Sequence, residues 1–249
     1  MLLIDAGNSV VKSRHINGNK IIDSRFVLAT HHAQGMDDFE AYLKQLTIDQ
    51  IYIASVASAA VTSQITRVIE KCLPNAALKR LLTLPSLGRI HNAYLDHTQL
   101  GVDRWLTILA ADKFKDQDVI IVDAGSAITI DLVSRKSNHL GGAIIAGVHT
   151  DAERFKQIFP AVDFNHPDIL QNSDPGRSTA QCIHLTRGDN VIDYTAELVR
   201  RWHDLLQSPV QVILTGYDAE KIGEGLSLPY QITPDLVFQG MLKQIQLQG

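Results

Sequence analysis

The sequence predicts an α/β fold built twice. Three observations predict it: a short phrase that recurs, the same order of elements after each copy, and a charged junction between the copies. The phrase is an apolar run, then Asp-Ala-Gly, then small polar residues, then a second β-prone run. It reads L-L-I-D-A-G-N-S-V-V-K at 2–12 and V-I-I-V-D-A-G-S-A-I-T-I-D-L-V at 119–133. One constant offset puts Asp5 on Asp123, Ala6 on Ala124 and Gly7 on Gly125. A short apolar run bounded by turn residues suits a buried strand, so each copy reads as strand, tight turn, strand.

In order along the chain, residues 2–5 and 9–16 form a hairpin around the first turn, and 20–29 follow as a third strand after Asn17-Gly18-Asn19. Met36, Phe39, Leu43 and Leu46 recur at helical spacing, so 36–46 is a helix. Ile51–Ala54 is a strand, Val61–Leu73 a helix closed by Pro74, and Leu81–Leu84 a further strand. Residues 85–100 are loop. Gly101–Phe114 is a helix with a stripe at Val102, Leu106, Leu109, Ala110 and Phe114. Lys113–Asp118 carries four charges in six residues and is the expected junction. Strands at 119–123, 127–133 and 139–145 then repeat the meander. Residues 160–177 hold three of the eight prolines and read as loop. Ser178–Leu206 is a long helix or a pair broken at Gly188, followed by strand 210–214, a short helix near 218–223, strand 229–232 and a helix over 235–246 begun by Thr233-Pro234-Asp235.

Two halves that each open on a β-meander and continue with helices and strands suggest duplicated ribonuclease-H-like domains, 1–115 and 116–249, with a nucleotide cleft between them. That is the architecture of actin and the sugar kinases; a single doubly wound domain is the other arrangement compatible with this order.

At 249 residues, 45% hydrophobic and 20% charged, the composition is that of a globular protein. A net charge of −4 gives no footprint for nucleic acid or an anionic membrane. The two cysteines, Cys72 and Cys182, lie far apart and outside any metal spacing, which fits a reducing compartment. No signal peptide precedes the first strand and no apolar run is long enough to span a bilayer, so a cytoplasmic location is expected.

Four groups of residues can carry chemistry. In Asp5-Ala6-Gly7-Asn8-Ser9-Val10-Val11-Lys12, the turn offers backbone N–H groups to a phosphate, glycine permits a left-handed φ or a close ligand, and Asp5 can face a metal directly or through water. Lys12 is either a counter-charge to phosphate or a solvated edge lysine. In Leu100-Gly101-Val102-Asp103-Arg104, a carboxylate opens a helix beside an arginine. Asp103 can accept a hydroxyl proton or serve as an N-cap, and Arg104 can grip a carboxylate or phosphate through two parallel bonds. Asp123–Asp131 offers a carboxylate for a cation and the hydroxyls of Ser126 and Thr129, with Gly141-Gly142 nearby in sequence. Ser178-Thr179 is a helix cap or a substrate contact, and Tyr94 lines a pocket or packs. The ten histidines fall into no metal spacing; His31, His32 and His203 read as surface residues. No G-x-S-x-G, Walker-type or G-x-G-x-x-G motif occurs.

Taken together and in this order, these motifs resemble the type III pantothenate kinases. Asp5–Lys12 is similar to the family's D-x-G-N-[ST]-x-x-K, Tyr94 and Leu100–Arg104 to Y…L-G-x-D-R, and Asp123–Asp131 to D-x-G-T-A-x-T-x-D. Gly141–Gly147, Thr179, Thr215–Ala219 and Pro234–Gly240 continue the likeness over nearly the whole chain. The resemblance implies ATP-dependent phosphorylation of the primary hydroxyl of pantothenate, the first step of coenzyme A synthesis, by a homodimer. It implies that Asp5, Ala6, Gly7, Asn8, Ser9, Val10, Val11 and Lys12 hold ATP and Mg²⁺, with Ser126 also touching ATP. Asp103 would be the proton acceptor. Tyr94, Gly101, Val102, Asp103, Arg104 and Thr179 would contact pantothenate, and Asp123 would hold K⁺ or NH₄⁺. Three departures stand out: Ser126 for Thr, Ala146 for Pro, and Tyr217 for the second glycine of G-G-D-A, where a tyrosine either stacks on adenine or crowds it. The rival expectations are an enzyme of the same superfamily with another small hydroxyl substrate, and a nucleotide-binding accessory or regulatory protein that has lost turnover.

Overall fold

A computed structural model describes residues 1–17, 20–29, 33–114, 116–163, 175–184, 189–206 and 209–249. His31, His32, Gly18, Gly188 and the greater part of the proline-rich loop lie outside the described residues. In chain order the elements are β1 (Leu2–Ala6), β2 (Val10–Asn17), β3 (Lys20–Ala29), α1 (Ala33–Leu43), β4 (Gln50–Ser55), α2 (Ala59–Cys72), β5 (Ala77–Arg80), β6 (Ser86–Leu87), β7 (Ile90–His91) and α3 (Val102–Ala110). There follow β8 (Asp118–Ala124), β9 (Ala127–Val133), β10 (His139–Ala146), α4 (Val148–Ile158), α5 (Thr179–His184), α6 (Asp189–Leu205), β11 (Val210–Thr215), α7 (Ala219–Glu224), β12 (Tyr230–Ile232) and α8 (Leu236–Gln248).

The duplication read from the repeated phrase is present in the sheets. One has the order β3-β2-β1-β4-β5 and the other β10-β9-β8-β11-β12. In the first, β1 pairs antiparallel with β2 and parallel with β4; in the second, β8 pairs antiparallel with β9 and parallel with β11. Each Asp-Ala-Gly turn therefore leaves the C-terminal end of a central strand, the edge where α/β folds bind ligands. Leu2, Leu3 and Ile4 are fully buried, as are Ile120 and Val122, because a central strand is covered on both faces.

The chain divides into two compact units. The first holds Met1–Lys113, Ser137–His139 and Asp235–Gly249, and the second Phe114–Lys136 and Leu140–Pro234. This differs from the linear division expected at 115/116, since the last helix and the tip of the β9–β10 turn group with the first unit. Packing gives the reason. A Cβ built at Gly240 would stand 1.9 Å from the Leu106 carbonyl oxygen, so α8 and α3 meet backbone to backbone. Around that contact Trp105, Phe238 and Met241 are buried. The other core of the first unit joins Leu2, Ile4 and Ala6 to Phe39 and Leu43 of α1 and to Ile65 and Ile69 of α2. In the second unit Ile120, Val122, Ile128 and Ile130 pack against Val191, Leu198 and Val199 of α6 and Ile222 of α7.

Several elements depart from expectation. The fifth strand is Ala77–Arg80 rather than 81–84. Leu81 N–H still donates to the Ile53 carbonyl (2.8 Å), but the Thr83 hydroxyl then bonds the Leu100 carbonyl (2.8 Å) and the chain leaves the sheet to brace the start of α3. The apolar run misleads because Leu82 is exposed, while the true edge strand carries Lys79 and Arg80. The 85–100 loop contains the small β6–β7 hairpin. The first helix begins and ends three residues earlier than its apolar spacing suggests, and α3 closes at Ala110 into a 3₁₀ turn. Helix α4 has no counterpart in the sequence reading, since it holds too few apolar residues to make a stripe. His203 is half-buried rather than on the surface.

Asp235 is the N-cap of α8 in position, with φ +61, but no side-chain cap bond forms there. Its carboxylate goes instead to Arg14, accepting from Nε at 3.1 Å and also from Nη2. Arg14 is buried, lies 5.0 Å over the Phe238 ring, and gives its remaining Nη1 to the Ser13 carbonyl. Removing the carboxylate leaves a buried guanidinium without its counter-charge. Asp235→Ala is therefore expected to lose about 2 kcal/mol of stability, read as a lower midpoint in urea with an unchanged slope. Wild-type stability in that variant would deny the ion pair any structural part.

Candidate active site

The first turn is set by short backbone links. Gly7 N–H donates to the Val10 carbonyl (3.0 Å), closing the β1–β2 corner, and Val56 and Ala57 N–H both donate to the Ala6 carbonyl (3.0 and 3.2 Å). Asp5 and Lys12 are directly opposite in the β1–β2 register, so their side chains share one face of the sheet. Asp5 is half-buried and Asn8 exposed. The left-handed φ allowed for in the sequence occurs at neither Gly7 nor Gly125. A Cβ would meet the Val10 carbonyl at 3.1 Å in the first case and the Ala127 carbonyl at 3.7 Å in the second. The second contact is ordinary, so the fold itself does not require glycine at 125.

Helix α3 starts beside this turn. A Cβ built at Gly101 would lie 3.5 Å from Val56 Cγ1, next to the residue whose N–H holds the Ala6 carbonyl. The N-cap is Gly101, not Asp103 as one reading of the sequence had it. Asp103 sits in the first turn, where its Oδ1 accepts from Arg104 N–H at 2.8 Å. The positive end of the helix favours the ionised carboxylate. The same built Cβ at Gly101 would fall 2.5 Å from Asp103 Oδ1, so the glycine makes room for this carboxylate. Gly101→Ala is expected to push Asp103 aside and lower turnover roughly tenfold, with a melting temperature near that of the wild type. Full turnover would mean that the carboxylate's position is immaterial.

Arg104 follows Asp103 and is buried, with 5% of its surface exposed. Its Nη1 donates to the Tyr94 hydroxyl at 2.9 Å, and its Cζ lies 5.7 Å from the Tyr94 ring centre. Tyr94 in turn stacks on His139, with centroids 6.1 Å apart and planes 14° from parallel. Thus Asp5, Lys12, Tyr94, Gly101, Val102, Asp103 and Arg104 all belong to the first unit, and Tyr94 with Arg104 is a direct pair. His139, which is 3% exposed, is the participant that sequence reading passed over. It stands alone among the histidines of a polar turn, and no local pattern distinguishes it.

Asp123, Ser126 and Thr179 belong to the second unit. There the second turn is cradled by two further segments. Gly147 N–H and the Thr150 hydroxyl both donate to the Ser126 carbonyl (3.0 and 2.6 Å), and Asp218 N–H donates to the Ala124 carbonyl (3.0 Å). A Cβ at Gly147 would stand 2.2 Å from the Gly125 carbonyl oxygen; at Gly216, which has φ +94, it would stand 2.4 Å from that of Ala124. Of the pair expected as G-G, the glycine that the backbone needs is therefore the one retained. Tyr217, at the altered position, is 85% exposed and does not fill the turn; its ring neighbours that of His149 at 6.1 Å. Asp123 is half-buried at the end of β8, in register with Thr129 and Thr215 on its two neighbours. Thr179 opens α5, but the capping hydroxyl is that of Ser178, which accepts from Gln181 N–H at 3.2 Å. No metal cluster of three or more His, Cys, Asp or Glu side chains occurs among the described residues.

A sequence model described as type III pantothenate kinase matches residues 1–201. The chain is 30% identical to a type III pantothenate kinase of Pseudomonas aeruginosa (strain LESB58), with 97% of each chain covered. It is 27% identical to that of Marinomonas sp. (strain MWYL1), over 100% of this chain and 97% of the relative. Among solved structures it is similar to a Baf family protein from Campylobacter jejuni, with TM-score 0.57, 22% identity, and 99% and 98% of the two chains covered. It is also similar to the acetate kinase of Entamoeba histolytica, with TM-score 0.52, 9% identity, and 98% and 99% covered. The fold is that of the actin and sugar-kinase group.

Proposed function

The chain belongs to the type III pantothenate kinase family, whose members phosphorylate pantothenate with ATP and a divalent cation in coenzyme A biosynthesis, and we propose that its own residues divide that work as follows. Asp103 orients the primary hydroxyl of pantothenate and takes its proton. Arg104 meets the carboxylate at the other end of the substrate, with Tyr94, Gly101, Val102 and Thr179 lining the acceptor. Asp5, Ala6, Gly7, Asn8, Ser9, Val10, Val11 and Lys12 serve the phosphates of ATP, and Ser126 also contacts the nucleotide.

The observation that carries this reading is the placing of Asp103 and Arg104. The carboxylate opens α3 next to the first Asp-Ala-Gly turn, and the buried guanidinium that follows it donates to the Tyr94 hydroxyl at 2.9 Å, which ties it to the 91–94 loop. Phosphoryl transfer passes through a loose transition state, so alignment and charge neutralisation contribute most. A base at the helix start and a cation facing the far end of the acceptor supply the alignment; Lys12 and the metal supply the neutralisation. A protein that only binds nucleotide has no use for a carboxylate in that position.

Asp5 suits Mg²⁺ on the residues present. Mg²⁺ is commonly held by one or two carboxylates together with phosphate oxygens and water, and Asp5 is one half-buried carboxylate with no metal cluster around it among the described residues. Asp123, half-buried at the end of β8 and in register with Thr129 and Thr215, is the carboxylate we assign to the monovalent cation, K⁺ or NH₄⁺. We further assign the protein to the cytoplasm and to a homodimer. The outer edge strand β10 supports the dimer, with Leu140 and Ile144 each more than half exposed. Among the described residues no helix is long and apolar enough to cross a membrane.

Coupled measurement of ADP release tests the assignment. Release is expected to depend on pantothenate and to rise on adding K⁺ or NH₄⁺, and Asp123→Ala is expected to abolish the response to the monovalent ion while leaving the response to Mg²⁺. Release that ignores pantothenate would overturn the substrate, and an unaltered K⁺ response in the variant would remove Asp123 from the cation site.

A further inference from the structure

We propose that His139 is a positioning residue for the acceptor's carboxylate, acting through Tyr94 on Arg104. The inference rests on the reading of Arg104 as the carboxylate's partner and adds the device that holds it in place.

The device is the tip of the β9–β10 turn, Ser137–His139, docked on the 91–94 loop. Three contacts fix it. His91 N–H donates to the Ser137 carbonyl at 3.1 Å, and His91 and Asn138 form a parallel bridge. Ala93 N–H donates to His139 Nδ1 at 3.4 Å. The His139 ring then lies nearly parallel to that of Tyr94, at 6.1 Å and 14°. On its other side the Tyr94 loop is braced by its own chain, with Tyr94 N–H donating to Asn92 Oδ1 at 2.9 Å and Asn92 N–H donating to the Pro85 carbonyl at 3.0 Å. The tyrosine is held at its backbone by Asn92 and at its ring by His139, which aims the hydroxyl at Arg104 Nη1.

The chemistry of the stack fits a positioning part. His139 is 3% exposed and accepts at Nδ1, so the neutral ring is the form that makes the Ala93 bond. A guanidinium carries five N–H donors in a fixed plane. The bond from Nη1 to Tyr94 is one of the contacts that set the rotation of that plane, and with it the edge the guanidinium presents to a substrate carboxylate. Loss of the histidine ring lets Tyr94 turn. Arg104 stays charged but loses the constraint that Tyr94 places on its plane, so acceptor binding weakens while the proton acceptor Asp103 keeps its bond to the Arg104 N–H.

The test is a double-mutant cycle on the full-length protein, with steady-state constants for pantothenate and for ATP. His139→Ala is expected to raise KM for pantothenate roughly tenfold, the effect of one misaligned charge-assisted bond. It should leave kcat and KM for ATP within about twofold of the wild type. In an Arg104→Met background, where no guanidinium remains to be aimed and only the contact of Tyr94 itself with the acceptor is left to lose, the same substitution is expected to change KM for pantothenate by less than about threefold. If His139→Ala folds poorly, His139→Phe keeps an aromatic ring against Tyr94 and removes both ring nitrogens, the Nδ1 acceptor among them; it should shift KM for pantothenate in the same direction by a smaller factor, with a smaller effect still in the Arg104→Met background. Additive effects of the two sites, or equal losses in kcat and in both KM values, would assign His139 to structure alone and overturn the proposal. An Arg104→Met enzyme with unchanged KM for pantothenate would instead strike at the carboxylate reading itself, and so the two failures are told apart.

Discussion

Asp103→Asn binds ATP as the wild type does and turns over about a hundredfold more slowly, or worse; that is the expected result, since a positioned base contributes on this scale. The substitution is close to silent for the fold. An asparagine oxygen still accepts the Arg104 N–H that Asp103 Oδ1 accepts at 2.8 Å, and the N-cap is Gly101, which is unchanged. What disappears is the negative charge and the ability to receive a proton. The favourable interaction of that charge with the helix start is lost from stability, about 0.5 kcal/mol. ADP release at saturating substrate and nucleotide titration in the absence of pantothenate separate the two properties. Turnover within a few-fold of the wild type would show that the hydroxyl loses its proton elsewhere.

The largest loss of stability is expected from Gly240→Ala, far from any reacting atom. The added methyl would stand 1.9 Å from the Leu106 carbonyl oxygen and 2.4 Å from its carbonyl carbon, and both belong to backbone that cannot swing aside. Helices α3 and α8 must separate, opening the packing of Trp105, Phe238 and Met241, all essentially buried. Overpacking against backbone is expected to cost about 3 kcal/mol or more, a fall in melting temperature of roughly 6–12 °C for a chain of this size. Because α3 carries Asp103 and Arg104 at its other end, the folded fraction should also bind pantothenate less well. A melting temperature within a degree or two of the wild type would mean that the helices slide apart at little cost.

Much of this was legible in the chain before any coordinates. The repeated Asp-Ala-Gly phrase gave both central strands and the turn that leaves each, because a four-residue apolar run ended by a glycine turn has few other readings. Asp103 and Arg104 stood out by their place at a helix start. What escaped are features whose cause lies elsewhere in the sequence. His139 meets Ala93 across 46 positions, and nothing within the polar β9–β10 turn announces a buried ring. Asp235 looked like a cap, and only the buried Arg14 explains why its carboxylate turns away. The edge strand β5 was misplaced because Leu81–Leu84 is the more apolar stretch, while pairing to Ile53 ends at Leu81 and the chain is then drawn off to Leu100.

The membership of α8 in the first unit has a consequence for how the protein is made. A ribosome delivers Met1–Lys113 well before Asp235–Gly249, with the whole of the second unit translated in between. At ordinary elongation speeds that interval is on the order of ten seconds. Throughout it, the side of α3 that α8 later covers lacks that partner, and the packing around Trp105 is completed only when the final helix emerges and closes over Leu106.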